Sequence, residues 1–383
     1  MDAKEKSLSF LGENIRYIIP YFQRSYVWDE DNWRELWDEL SFDRKDCFLG
    51  SIILKLENDS HTDETQKTVI DGQQRLTTLS ILVEALCEKF EESADQNRVN
   101  AASQYRQFLY YHVDVWNYDN GNDIAETPKI RHSRLDKEYF ENVVTGKCIT
   151  MIDDINEESH KIYRCYKYFK QKLSNATDTQ INIISRKLFN STSHILVVIN
   201  LGPDENEQAI FDTINSAGEK LNAADIIKNA LYQKINGSSI DAEQHYREHW
   251  FETFDKKEVN EQWQEKKGSG ANQKSYIDIF FHCYAIMKGF FDTTQDRVKD
   301  LSKCYKKHVR GLSAQETKDF IEDICKNAKK YKEIFIGYDS VTGYKFNNNR
   351  NRLLHILNTI KVTIFDAFIL YAVNNQLISY TDS

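Results

Sequence analysis

Apolar positions recur with helical spacing along most of the chain and with strand character in only a few places. Cys47–Leu56 (CFLGSIILKL), Lys67–Ile70 and His194–Leu201 (HILVVINL) are short, β-prone and bounded by polar turns, which predicts strands. Gly50 inside the first of them marks a close backbone approach or a bulge. Ile15–Ile19, ending at Pro20, is a shorter apolar segment, and residues 1–14 read as a polar lead-in. From Gln73 the period changes. Leu76, Leu79, Leu82, Leu86 and Phe90 recur every three or four residues, one apolar face of a helix. Asp29 or Asp31 is placed to cap a helix carrying Trp33, Leu36, Trp37 and Leu40, with the two tryptophans in the core.

Residues 84–192 read as mostly helical, with a polar connection at 93–104 and a turn-rich insert at 114–132 compatible with a hairpin. The strand at 194–201 returns to the first sheet. A helix at Glu205–Asn215 is broken by Ser216-Ala217-Gly218, and the next begins near Leu221. Residues 240–383 show no strand pattern, only helices near 241–257, 273–290, 296–309, 314–335 and 351–375. The pattern predicts an α+β chain, predominantly α: a small mixed sheet with a helical insertion, then an all-helical domain. The first domain spans 1–236, its sheet core about 10–92 and 193–235 and its helical excursion about 93–192. The second spans 237–383.

Composition narrows the function. The 383 residues are 40% hydrophobic and 28% charged, enough to bury real cores and against disorder. A net charge of −9 excludes a strongly basic nucleic-acid-binding domain in the bulk, leaving local basic faces. Candidates are Lys303, Lys306, Lys307 and Arg310, and Lys326, Lys329 and Lys330. Seven scattered cysteines without a CxxC indicate reduced thiols, as in a cytoplasmic protein. No secretory leader or long apolar run is apparent, so no membrane partner is expected.

The chemistry concentrates at Val69-Ile70-Asp71-Gly72-Gln73-Gln74-Arg75. A strand ends at Asp71, Gly72 turns the chain, and a helix starts. A helix start offers free N–H groups and the positive end of the dipole, and Arg75 adds a fork for phosphate oxygens. The competing reading makes Asp71 a cap and the glutamines and Arg75 solvated. Upstream, Tyr21-Phe22-Gln23-Arg24-Ser25-Tyr26-Val27-Trp28 holds Gln23 and Arg24 among aromatics, where they must reach water, a protein partner or a ligand. Asp225 reads as the far end of a capping box with Asn222, or as an i, i+3 ion pair with Lys228. Gly268–Ser275 has P-loop spacing, but Gln273 replaces the second glycine and no strand precedes it, so a joint is the better reading. His245 and His249 are i, i+4 on a helix face, a zinc-compatible spacing without an HExxH context.

Three segments together carry a family resemblance: Ile19-Pro20-Tyr21-Phe22-Gln23-Arg24-Ser25-Tyr26-Val27-Trp28, Phe48-Leu49-Gly50-Ser51-Ile52 and Asp71-Gly72-Gln73-Gln74-Arg75-Leu76-Thr77-Thr78-Leu79. They resemble the GmrSD restriction-enzyme N-terminal domain family, and Phe211–Asn229 resembles its second block. The resemblance covers about residues 10–235. It implies a ParB/sulfiredoxin-like sheet domain and a role in prokaryotic anti-phage defence. It further implies binding and hydrolysis of a nucleoside triphosphate with Mg²⁺, controlling cleavage of modified phage DNA. By resemblance, Gly72, Gln73, Gln74 and Arg75 form the phosphate turn, and Gln23 and Arg24 the facing motif. Asp71, Gln74 and Arg75 become the catalytic set, with Asp71 also the metal ligand. Asn215, Asp225 and Lys228 match polar positions of the second block, and Tyr26 and Trp28 belong to the first. Sulfiredoxin-like relatives place a cysteine where this chain has Gln73, which argues against sulfinic-acid reduction. Many family members continue into an HNH-type nuclease domain, and no such motif follows residue 235, so either a nuclease domain or subunit is an expected partner or the chain restricts phage differently. Homo-oligomerisation is left open. The alternative is a non-catalytic DNA-binding or interaction scaffold whose turn holds phosphate without turnover.

Overall fold

The computed structural model describes residues 2–43, 47–56, 65–117, 121–202, 223–236, 238–267, 273–336, 349–359 and 363–377. The chain divides into two compact units, Met1–Lys220 and Leu221–Ser383. It is a mixed α+β protein, 61% helical and 12% strand, and so predominantly α.

The strands of the first unit are β1 (Asp2–Lys6), β2 (Arg16–Ile18), β3 (Ser51–Leu56), β4 (Gln66–Asp71), β5 (Tyr110–Asn117), β6 (Gly121–Pro128), β7 (Ile130–Arg131) and β8 (Leu196–Leu201). Six of them form one mixed sheet in the order β1-β8-β3-β4-β2-β7, and β5 and β6 pair as a separate hairpin. As expected, the strand at 196–201 returns to the first sheet: β8 lies parallel to β3, which is antiparallel to β4. Alternation along β3 serves two faces. Ile52 and Leu54 join the large core, while Ile53 clusters on the other face with Ile70, Ile199 and Leu201.

The helices of this unit are α1 (Glu30–Ser41), α2 (Gln73–Glu91), α3 (Gln96–Arg106), α4 (Arg134–Val144), α5 (Lys161–Asn175) and α6 (Asp178–Phe189). Asp29 caps α1 through a capping box with Asn32. Trp33 and Trp37 are core residues. At the other end of α1, the buried Lys187 ammonium donates to the carbonyls of Glu39 and Phe42. The axis of the unit is α2, packed against α3, α4 and α5. The predicted apolar face, Leu76 to Phe90, is buried together with Val83 and Cys87, and so are Ile81 and Ala85 on the opposite side. Even Glu84 and Glu88 are buried, each with a cation: Arg106 forks onto Glu84 at 3.0 and 3.2 Å, and Lys170 lies 2.9 Å from Glu88. Burial of a carboxylate in such a helix is tolerable only with that pairing.

Three expectations need correction. Residues 1–14 are not a lead-in: β1 is an edge strand and Leu8, Phe10 and Leu11 of the following 3-10 turn are core. Charged side chains on β1 are what an edge strand carries to discourage further pairing, and they made it look like a tail. The insert at 114–132 is the expected hairpin, β5–β6, but the excursion at 93–192 also returns a strand to the sheet, β7, which pairs beside β2. Cys47–Gly50 precedes the strand, which starts at Ser51.

The second unit contains α7 (Ala223–Ile235), α8 (Ala242–His245) running into a π-helical stretch Tyr246–Asp255, α9 (Lys257–Gln264), α10 (Tyr276–Met287), α11 (Leu301–Arg310), α12 (Ala314–Phe335), α13 (Asn349–Thr359) and α14 (Asp366–Asn374). Its core is aromatic, with Trp250, Phe254, Trp263, Phe280, Phe281 and Tyr331 buried in mutual contact. Two departures appear. A two-residue ladder joins Lys266–Lys267 to Lys274–Ser275, too short to leave a periodic signal. The single helix expected over 351–375 is two, and Asp366 at the start of the second is buried against Lys267 (3.4 Å) and Tyr331 (3.2 Å). The expected helix Glu205–Asn215, its break at Ser216–Gly218, Asn222 and Gly268–Asn272 lie outside the described residues.

At the β4–α2 junction Gly72 has φ +91°, and a Cβ there would come 2.9 Å from the Ser51 carbonyl oxygen and 3.1 Å from Ile52 Cα. Both the left-handed backbone and the contact with β3 demand glycine. Gly72→Ala is expected to cost roughly 2–4 kcal/mol of stability, read as a lower midpoint in urea unfolding. An unchanged midpoint would show that the junction relaxes freely.

Candidate functional site

The site grows from the end of β4. Asp71 is the last strand residue, opposite Ile53 of β3 just before an irregularity in the ladder. Gly72 caps α2 without any side-chain hydrogen bond, and the first helical bond runs from the Leu76 N–H to the Gly72 carbonyl. The N–H groups of Gln73, Gln74 and Arg75 therefore have no intrahelical acceptor.

Arg75 folds back over the preceding strand. Its Nη1 donates to the Ser51 carbonyl at 2.6 Å, and its guanidinium covers Gly50. Gly50 has φ +105°, and a Cβ there would lie 2.5 Å from Arg75 Nη2. The close approach marked by Gly50 is thus the protein's own arginine. Arg75 Nε is buried without a partner among the described residues. Burial pulls the Arg75 pKa down, opposed by Asp71. Burial likewise raises Asp71, opposed by the Gly72 N–H and by the charges of Arg75 and Arg24. The two shifts agree: each ion is penalised by burial and partly rescued by the other.

The facing segment 20–28 is stitched to this turn by three glutamines. Gln23 Nε2 donates to the Val69 carbonyl at 2.8 Å, and Gln73 Nε2 to the Arg24 carbonyl at 3.2 Å. The Gln74 amide is engaged at both ends, donating to the Ser25 carbonyl at 3.1 Å and accepting from the Val27 N–H at 2.8 Å. Only the Gln73 Oε1 is left buried and unpartnered among these contacts. The three amides, expected to face a ligand, thus have partners in the backbone. Arg24 and Arg75 supply the positive charge around Asp71.

Tyr26 anchors the same segment from below. Its hydroxyl meets Thr78 Oγ1 at 2.6 Å and accepts from Trp33 Nε1 at 2.8 Å, and its N–H donates to Asp136 at 2.9 Å. Trp28 is half-buried against the core. Asp136 of α4 and His132 just before it went unnoticed in the sequence. His132 Nε2 lies 2.9 Å from Thr77 Oγ1, and His160 Nε2 is 3.4 Å from Asp136. The available signal was polarity in the wrong place, since His132 and Asp136 precede Phe140, Val143 and Val144 on the buried side of their helix.

Of the second-block residues, Asn215 lies outside the described residues. Asp225 and Lys228 belong to α7 in the second unit, where Lys228 Nζ is 3.8 Å from Asp225 and 3.0 Å from Asp255. The ion-pair reading holds there, with Asp255 as the nearer partner. Among the candidate basic clusters, Lys306 is buried, Lys303 pairs with Asp300 at 3.0 Å, and Lys330 donates to Asn374. Lys307, Arg310, Lys326 and Lys329 are exposed. A cavity of about 780 Å³ in the second unit is lined by residues such as Cys283, Met287, Phe291, Phe368 and Tyr371, and none of the expected site residues enters it. No described helix is long and apolar enough to cross a membrane.

Residues 7–232 match the family model described as "GmrSD restriction endonuclease, N-terminal domain". No curated protein matches the chain.

Acid should loosen the support of the turn. Burial, aided by His160 and opposed by Asp136, lowers the His132 pKa from 6.5 to about 4. Between those values the unfolded chain binds a proton that the folded chain refuses. Stability is therefore present above pH 6.5 and lost as pH falls through the window, up to about 3 kcal/mol from this group. His132→Gln should remove much of the loss in unfolding free energy between pH 7 and pH 4.5. An identical acid loss in the variant would refute the assignment.

Proposed function

Because the chain belongs to the GmrSD restriction endonuclease N-terminal domain family, and so is a component of a restriction system, we propose that its first unit binds a nucleoside triphosphate at the Asp71–Arg75 turn. We further propose that it hydrolyses that nucleotide to control the cleavage of modified phage DNA, the nuclease being a further domain or a partner subunit. The observation that carries this reading is the uncapped start of α2 beside Arg24 and Arg75. The first N–H groups of α2 lack intrahelical acceptors, and the charges of Arg24 and Arg75 both act on Asp71 beside them, a setting suited to phosphate oxygens. The unpartnered Arg75 Nε and Gln73 Oε1 add buried polar capacity at the same turn.

In this reading the residues divide by task. Gln23, Gln73 and Gln74 position the turn. Gly72 to Arg75 and Arg24 hold phosphate. Asp71 fits a Mg²⁺ ion, since that ion is commonly held by one or two carboxylates plus phosphate oxygens, and it would supply charge neutralisation at the transferred phosphoryl group. Asp71 also suits an attacking water. Burial that raises a carboxylate's proton affinity makes it a better base. The sheet domain is read as ParB/sulfiredoxin-like, with DNA contacts through exposed lysines.

Phosphate release by the wild-type chain, with and without DNA, tests the reading. Arg75→Lys keeps the charge and the reach to Ser51 but loses the fork, and should weaken nucleotide binding about tenfold, on the order of 1.4 kcal/mol. Asp71→Asn should keep affinity while hydrolysis falls roughly a hundredfold, about 2.7 kcal/mol in the barrier. Hydrolysis at the wild-type rate in Asp71→Asn removes the catalytic role. Tight binding without turnover in the wild type turns the reading to a phosphate-holding scaffold.

A further inference from the structure

His245 closes α8, and His249 lies one turn on in the π-helical stretch that continues it. Their rings stack with centroids 4.5 Å apart and planes 28° apart. From α12, Glu322 approaches both. Its Oε1 is 3.5 Å from His245 Nε2 and 4.0 Å from His249 Nε2. One ligand atom from each of the three residues lies within 4.8 Å of the others. Bond lengths of 2.0–2.2 Å to a tetrahedral ion would place its ligand atoms roughly 3.3–3.6 Å apart. The side chains therefore need only a small contraction to share one ion.

A second observation points the same way. His245 is only 5% exposed, and neither of its ring nitrogens makes a hydrogen bond. A buried imidazole ordinarily finds a partner for each polar atom; among the described residues Nδ1 has none, and Nε2 faces only the Glu322 carboxylate, at 3.5 Å and outside hydrogen-bond geometry. His249 and Glu322 are 35% and 41% exposed, so the side of the cluster away from His245 is open to water. The Lys318 ammonium, 3.8 Å from Glu322 and itself 35% exposed, is a weak competitor that a divalent ion displaces. π-Helical segments are uncommon and gather at functional positions.

We propose that His245, His249 and Glu322 bind a divalent ion of the zinc class, with water in the fourth position. Two imidazoles select zinc, cobalt, nickel or copper over magnesium and calcium. The ion ties the π-helical stretch to α12 and creates a metal centre built wholly within the second unit, independent of the Asp71–Arg75 turn. Sequence spacing supplies the histidine pair; Glu322, 73 residues after His249 (322 − 249), is visible only in the fold.

The test uses tag-free, chelator-stripped full-length chain titrated with Co²⁺ and then with Zn²⁺ in competition. One equivalent of Co²⁺ should give the visible absorption of a four-coordinate N/O site, displaced by Zn²⁺, and Zn²⁺ should raise the melting temperature. His249→Ala and Glu322→Gln each remove a partly exposed ligand. Each should weaken binding by at least ~10–100-fold and abolish the thermal shift, while the metal-free melting temperature changes little. Absence of saturable binding in the wild type overturns the proposal. So does undiminished affinity in both variants, which would place the ion on other groups such as the cysteines.

Discussion

Everything at the candidate site depends on three side-chain amides spent on backbone. Gln23, Gln73 and Gln74 tie residues 20–28 to the end of β4 and the start of α2. An amide is suited to this task because it donates and accepts at once without charge. A carboxylate or ammonium in the same places would bring a desolvation cost and compete with Asp71 and Arg75 for partners. With neutral groups doing the bracing, the charges of Arg24, Asp71 and Arg75 remain the electrostatic content of the site.

The glycines impose the complementary constraint. Gly72 lets α2 start against the backbone of β3, and Gly50 lets the Arg75 guanidinium lie across the chain. Arg75 is thereby pre-oriented by the Ser51 carbonyl, so part of the entropy of ordering a long side chain is met on folding and not on ligand binding. A second layer, Tyr26 with Thr78, Trp33 and Asp136, holds the facing segment in register with the helix beneath it.

Much of this was legible in the amino-acid order. The change from a β-prone run to a 3.6-residue period across Asp71–Gln73 located the strand–turn–helix junction, and the apolar run at 194–201 announced the returning strand. The partners of the glutamines were not legible, since nothing in a single sequence pairs Gln74 with Val27 across 46 intervening residues (74 − 27 − 1). β1 was hidden because an edge strand satisfies half its backbone with water and can carry charged side chains, which resembles a tail. His132 and Asp136 were hidden because a buried polar pair interrupts the apolar pattern by which buried helix faces are recognised. In the second unit the helical content was plain, but the π-helical winding at 246–255 shifts which side chains share a face, and no propensity encodes it.

The placement of β8 has a consequence for the nascent chain. β3 pairs with β4 on one edge, but its other neighbour begins at Leu196, 140 residues after Leu56 (196 − 56). At ribosomal speeds of roughly 5–20 residues per second, that edge waits on the order of ten seconds for its partner. During the interval Ile52, Ile53 and Leu54 present one unpaired edge of a β-prone strand, the kind of surface that chaperones occupy and that seeds aggregation. Expression temperature and translation rate should therefore influence the yield of this chain more than the stability of the finished fold would suggest.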